Sequence, residues 1–181
     1  EGPGRDSSFG LAIRLPFETT ANTVIAGDPK LINFKYFFTR KLLFMKESHA
    51  FALFPGGFGT LDETFELLTL IQTGKSDMHP IVLIEAPGTG YWERWLDFVT
   101  DGPLEHGMIF PEDLDLILHT TDMDEAAQEI LTFYANYHSQ RYVRGQLVLR
   151  LKEQPTGEQV EELNDRYADI LVDGRIEADP E

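Results

Sequence analysis

Two carboxylates, a basic pair and a glycine turn are the residues here whose types and spacing could do chemistry. The turn is Pro55-Gly56-Gly57-Phe58-Gly59-Thr60, followed by Leu61-Asp62-Glu63. Glycines at 56, 57 and 59 let the backbone turn tightly and come close to a ligand. A helix opening at Thr60 would point free N–H groups and the positive end of its dipole at that turn, a combination that attracts phosphate. Glu63 and Glu66 lie three apart, so on one helix face. The stretch lacks the Lys-Ser/Thr ending of a P-loop and does not meet the dinucleotide glycine spacing. Each feature also has a plainer reading. Glycine turns between strand and helix occur as geometry alone, Thr60 with Glu63 fits a capping box in which the Glu only satisfies a backbone N–H, and Glu66 fits a surface carboxylate.

Charge sharpens the picture. The 181 residues carry a formal net charge of −16, the wrong sign for neutralising nucleic-acid phosphates. Yet Lys30, Lys35, Arg40, Lys41 and Lys46 follow one another with no acidic residue between them. That island is where a small anion would sit, or it is a solvated basic face. There is no cysteine, so disulfides, thiolate metal sites and cysteine nucleophiles are excluded. His49, His79, His106, His119 and His138 show no metal-ligand spacing, so no metal is expected. No apolar run approaches the roughly 20 residues of a membrane helix, and no signal-peptide pattern opens the sequence. A cytoplasmic protein with no nucleic-acid or membrane partner is the expectation.

These residues must be positioned by the elements around them. Phe9 to Leu15 and Leu31 to Phe38 read as strands, with Thr39 capping a helix over Arg40 to Ser48. Ala50 to Phe54 is a short apolar run suited to a strand buried on both faces. A helix from Leu61 to about Thr73 follows, with Leu61, Phe65 and Leu68 as its apolar stripe and Gly74 as its stop. Pro80 to Glu85 and Leu114 to His119 read as strands. Tyr91 to Val99, with Trp92 and Trp95 on one face, and Met123 to Tyr137 read as helices. Strands alternating with helices predict an α/β fold, a Rossmann-like doubly wound parallel sheet. Ligands of such sheets bind beyond the carboxyl ends of the strands, where the glycine turn would lie. The tail differs. Gln146 to Lys152 alternates like a half-exposed strand, Thr156 and Gln159 form a capping-box pattern before a helix from Glu158 to about Leu171, and Asp173-Gly174 marks a turn. The expected division is residues 1–139 as the nucleotide-binding domain and 140–181 as a small C-terminal α+β appendage.

Arg40-Lys41 and then the nine residues Pro55 to Glu63 resemble the two signatures of the LOG (lonely guy) phosphoribohydrolases, an Arg-Lys pair and PGGxGTxxE, with every fixed position of the second matched. The likeness extends from about Phe9 to Tyr137, through Gln72, Gly74 and the Tyr91-Trp92 helix. Many members carry the label "possible lysine decarboxylase". The resemblance implies hydrolysis of the N-glycosidic bond of a nucleoside 5′-monophosphate, AMP or cytokinin-type, to free base and ribose 5-phosphate. It implies no cofactor, and a homodimer or higher homo-oligomer with the site near a subunit interface. Carried over by position, Arg40 and Glu63 match the catalytic pair. Pro55, Gly56, Gly57, Gly59 and Thr60 match the phosphate-binding turn, Glu66 matches an acidic position near the ribose, and Lys41 is the second member of the basic pair.

The chemistry suits these residue types. Glycoside cleavage passes through an oxocarbenium-like transition state, which Glu63 could stabilise while holding the ribose hydroxyls or a water. Arg40 could grip the phosphate in a forked manner or aid the departing base. Family members carry an earlier glycine-rich βα turn. Gly2-Pro3-Gly4 sits too close to the first strand to supply it, so the first βα unit is expected to be missing and the appendage to break off. The tail beyond about residue 140, absent from short members, motivates an alternative: a non-catalytic nucleotide sensor. Decarboxylation has no pyridoxal phosphate signature behind it.

Overall fold

The computed structural model describes residues 8–13 and 25–179. They form a mixed α/β protein with parallel strand pairing, grouped into two compact units, residues 1–119 and 120–181. Arg14 and Leu15, the expected end of the first strand, and Gly2-Pro3-Gly4 lie outside the described residues.

In the first unit, β1 (Gly10–Ile13) pairs in parallel with β2 (Leu31–Phe34), Gly10 against Leu31. Helix α1 (Phe37–Glu47) follows, then β3 (Phe51–Leu53), α2 (Phe58–Gln72), β4 (Ile81–Ile84) and α3 (Tyr91–Val99). A five-residue π turn over Thr100–Leu104, with Pro103 inside it, continues α3. A 3-10 turn over Pro111–Leu116 leads into β5 (Ile117–Thr120). The strand order is β3-β4-β5, with β3 and β4 parallel and Phe51 opposite Ile81.

The core lies where α2 and α3 cover this sheet. Every residue of β4 is buried, the pattern of a strand covered on both faces. Leu67 and Ile71 of α2 meet Phe51, Ile81 and Leu83 from the sheet and Trp92, Trp95 and Val99 from α3. The two tryptophans sit edge to face at 5.7 Å, a favoured ring geometry. Double-sided burial therefore belongs to the central β4. In β3, which sits at the end of the strand order, Phe51 is buried and Ala52 is exposed.

Other boundaries also differ from expectation: β5 starts at Ile117 rather than Leu114, because Leu114 to Leu116 close the 3-10 turn. The aromatic run does not stay extended to Phe38. Helix α1 begins at Phe37 with Tyr36 as its cap residue, and Thr39 is inside it, its hydroxyl donating to the Tyr36 carbonyl at 2.8 Å. Thr39 therefore sits in the first turn rather than at the cap position, and its hydroxyl is bonded back to the carbonyl that precedes the helix. Helix α2 begins three residues before Leu61, at Phe58 with Gly57 as cap residue. It ends as the glycine stop requires, with Gly74 at φ +65° and its N–H on the Ile71 carbonyl at 3.0 Å.

In the second unit, Asp122 caps α4 (Met123–Asn136), accepting from the Asp124 and Glu125 N–H groups. The chain then forms an antiparallel hairpin, β6 (Tyr137–Val143) and β7 (Gln146–Leu151). Its turn residues Arg144 and Gly145 both have positive φ, as a two-residue hairpin turn demands. Sequence reading expected β7 and placed no partner strand beside it. Helix α5 (Gly157–Tyr167) opens on the expected capping box of Thr156 and Gln159.

Candidate active site

The early start of α2 decides what Glu63 does. In a capping box, Glu63 would reach back to the N–H of a cap residue at Thr60. Because Gly57 is the cap residue, Thr60 is already helical and its own N–H bonds to the Gly57 carbonyl at 3.0 Å. Glu63 is one turn too far along to serve the helix end. Its Oε1 instead accepts from Arg40 Nη2 on α1 at 2.5 Å, with the two side chains 24% and 16% exposed. An ion pair so largely sheltered from water is far less screened than a surface one. The Arg40 guanidinium also lies over the Phe37 ring, 5.8 Å from its centroid.

Lys41, the next residue of α1, turns to the same helix. Its Nζ lies 2.5 Å from Asp62 Oδ2 and 2.8 Å from Glu66 Oε2. Burial pulls the Lys41 pKa down, but the two carboxylates outweigh burial and hold it above its ordinary value. Glu66 is therefore an ion-pair partner of Lys41 rather than a free surface carboxylate. The basic island splits accordingly: Arg40 and Lys41 both face α2, and Lys30 pairs with Asp28 at 2.9 Å.

Beside these pairs stands the glycine turn. Each glycine does a different job. A Cβ at Gly56 would lie 2.2 Å from Thr60 Oγ1 and 3.0 Å from Thr60 Cβ, so any side chain there would force Thr60 to shift. A Cβ at Gly57 or Gly59 would meet nothing within 4 Å among the described residues. No side chain among them caps the first turn of α2, and no acidic residue sits in it. The amides of Phe58 and Gly59 precede the first intrahelical bond, so they are donors available to an anion. A cavity of about 430 Å³ runs beside the turn, with Lys41, Phe44, Thr60 and Glu63 on its walls and the stretch from Ala50 to Pro55 along one side.

The structure thus brings together Arg40, Lys41, Glu63 and Glu66, and sets Pro55, Gly56, Gly57, Gly59 and Thr60 at the head of the same helix. Sequence reasoning missed Asp62 and the support from α3. Asp62 and Glu66 share a helix face by their four-residue spacing, which was a readable signal for a shared cation. The Tyr91 hydroxyl donates to the Gly56 carbonyl at 2.8 Å, and Trp92 Nε1 donates to the Leu53 carbonyl at 3.1 Å. Neither contact has a local sequence signature. Among the described residues no three His, Asp or Glu side chains gather as a metal site, and no helix is long and apolar enough to cross a membrane.

Parallel strands, a glycine turn entering a helix, and a guanidinium–carboxylate pair beside it define an α/β protein with a candidate anion-binding catalytic site. Residues 7–130 match the family model described as "Possible lysine decarboxylase", and the chain belongs to that family. Its relatives include cytokinin riboside 5′-monophosphate phosphoribohydrolases of Arabidopsis thaliana. One is 33% identical over 116 residues, 64% of this chain and 51% of the relative. A second is 33% identical over 124 residues, 68% of this chain and 54% of the relative. A third is 30% identical over 116 residues, covering 64% and 50%. The chain spans about half the length of these curated relatives.

Proposed function

We propose that this protein hydrolyses the N-glycosidic bond of a nucleoside 5′-monophosphate, releasing free base and ribose 5-phosphate. The observation that carries the reading is the Arg40–Glu63 pair, held 2.5 Å apart beside an uncapped helix start. The named activity of the relatives supports it.

In this reading the phosphate rests on the amides at the head of α2, among Pro55, Gly56, Gly57, Gly59 and Thr60. The clear space at Gly57 and Gly59 is what a close phosphate approach needs. Glu63 faces the anomeric carbon. As the C–N bond breaks, its electron pair leaves with the base, positive charge builds on the sugar, and the carboxylate stabilises it. Water adds to that carbon and its proton is lost, while the departing base gains one. Arg40 grips the phosphate or assists the base. Lys41 and Glu66 complete the site, Glu66 next to the ribose. No metal or other cofactor enters this chemistry.

The fold in this reading is one doubly wound Rossmann-like sheet in a domain of residues 1–139, with 140–181 as an α+β appendage. The family match running to residue 130 supports that extent. The working form is a homodimer or larger, with the site near the interface. The exposed aromatic rings of Phe37, Phe38, Phe54 and Phe58 around the site support it. The location is the cytoplasm.

Base release from a panel of nucleoside monophosphates, AMP included, tests the reading. Release of base and ribose 5-phosphate supports it. Nucleotide binding without release supports a sensor instead.

A further inference from the structure

Glu85 follows β4 and is buried, its side chain only 1% exposed. An isolated carboxylate there would be strongly disfavoured, yet every contact it makes is a donor. Its Oε2 accepts from the Tyr91 N–H at 2.5 Å, and its Oε1 accepts from the Trp92 N–H at 3.1 Å and the Glu93 N–H at 3.4 Å. The same Oε1 lies 2.8 Å from His119 Nε2 on β5. Gly90, the cap residue of α3, has no side chain to offer. Glu85 thus caps α3 from the end of the neighbouring strand, placing negative charge on the positive end of that helix.

What α3 carries in its first turn makes this more than a local cap. The Tyr91 hydroxyl donates to the Gly56 carbonyl at 2.8 Å. Trp92 Nε1 donates to the Leu53 carbonyl at 3.1 Å and lies 3.3 Å from the Ile84 carbonyl. Leu53 ends β3 and Gly56 opens the glycine turn, so α3 holds both ends of Leu53–Gly56 by their carbonyls. Gly56 in turn is pressed against Thr60, with no room for a Cβ between them. A displacement of the first turn of α3 is therefore passed to the head of α2 through two hydrogen bonds and one tight contact.

We infer that Glu85 is a positioning residue for the glycine turn, setting the conformation of Gly56–Thr60 through Tyr91 and Trp92 without touching substrate. Its importance to catalysis rests on the reading of that turn as the phosphate site; its effect on the turn itself does not. Tyr91 is the side chain that reaches the turn itself, at the Gly56 carbonyl, while Trp92 holds the end of β3. Removing the Tyr91 hydroxyl should therefore loosen the turn as altering Glu85 does.

The test compares the intact protein with Glu85→Gln and Tyr91→Phe by amide hydrogen exchange and by steady-state kinetics on AMP. Glu85→Gln keeps the shape and removes the charge. Tyr91→Phe removes one hydrogen bond and leaves the Glu85 cap in place, so it remains a test if the first variant folds poorly. The expected result in both is faster exchange at Thr60 and Leu61, by about tenfold, with the last turns of α2 unchanged. With AMP the KM should rise by a similar factor and kcat should change little, since the turn binds the remote phosphate. The double variant should be no worse than Glu85→Gln alone. Unchanged exchange at Thr60 and Leu61 in Tyr91→Phe would overturn the proposal. So would faster exchange throughout α2 and α3, the mark of a general loss of stability. If the native protein releases no base while exchange shifts as expected, the hydrolase reading fails and the positioning role of Glu85 stands.

Discussion

At the scale of single residues, the position of a helix start separates two fates for Glu63. With Gly57 as cap residue, Glu63 is freed from the helix end and drawn to Arg40. Arg40→Lys keeps the charge and loses the planar fork. It should lower base release roughly a hundredfold, the scale of losing one well-placed donor, with a thermal midpoint near that of the native protein. The glycines make a second contrast. Gly57 has φ −89° and open space where a Cβ would go, so Gly57→Ala should change stability by only about 0.5 kcal/mol while weakening AMP binding. Gly56→Ala should cost more stability, because Thr60 must move. Calorimetric unfolding and AMP titration of the pair check both. The glycine turn was legible from the motif, whereas Thr60 and Glu63 at that spacing fit a capping box equally well, and only the helix start at Phe58 removes that role. Lys41 was less so. Its partners Asp62 and Glu66 lie a helix away, and no pattern within α1 announces them.

At the scale of elements, α3 joins the core to the site. Trp92 is fully buried, and its indole donates to the Leu53 carbonyl. Trp92→Ala should destabilise by about 3–5 kcal/mol and disturb the glycine turn as well, read by denaturant unfolding alongside activity. Glu85 adds a pH dependence to the same element. Burial pushes its pKa up, but the Tyr91 amide, His119 and the Glu93 and Trp92 amides pull it down and prevail. A carboxyl with a depressed folded pKa stabilises the protein above its unfolded pKa. That contribution is lost as the pH falls through the lower, folded value. Native protein should therefore lose stability on acidification below the ordinary carboxylate range more steeply than Glu85→Gln does, as measured by thermal midpoints across that range. The alternation of strands and helices was legible because each has its own apolar period. Strand β6 was not. Its residues Tyr137 to Val143 follow α4 without a break, and tyrosine, histidine and glutamine fit a helix end as well as a strand. Only Arg144-Gly145, a turn with positive φ at both residues, marks the hairpin.

At the scale of the whole molecule, the acidic balance and the basic pair divide the labour. A net charge of −16 sets an acidic background, and Arg40 and Lys41 are held within it as fixed donors by pairing with Glu63, Asp62 and Glu66. Phe54 and Phe58 flank the glycine turn with their side chains exposed, as the proposed oligomer would use them. Light scattering should return the mass of a dimer or larger, and a monomer at working concentration would contradict the oligomeric reading. Spacing cannot announce a partner, because periodicity reports which face is apolar and not what covers it.

In the proposed reaction Glu63 is the carboxylate that makes N-glycosidic cleavage possible. The most direct measurement is release of adenine and ribose 5-phosphate from AMP by the native protein and by Glu63→Gln, with circular dichroism showing that the variant keeps its fold. A catalytic Glu63 gives release by the native protein and a loss of at least about a hundredfold in the variant. Undiminished release in a folded Glu63→Gln protein would contradict it.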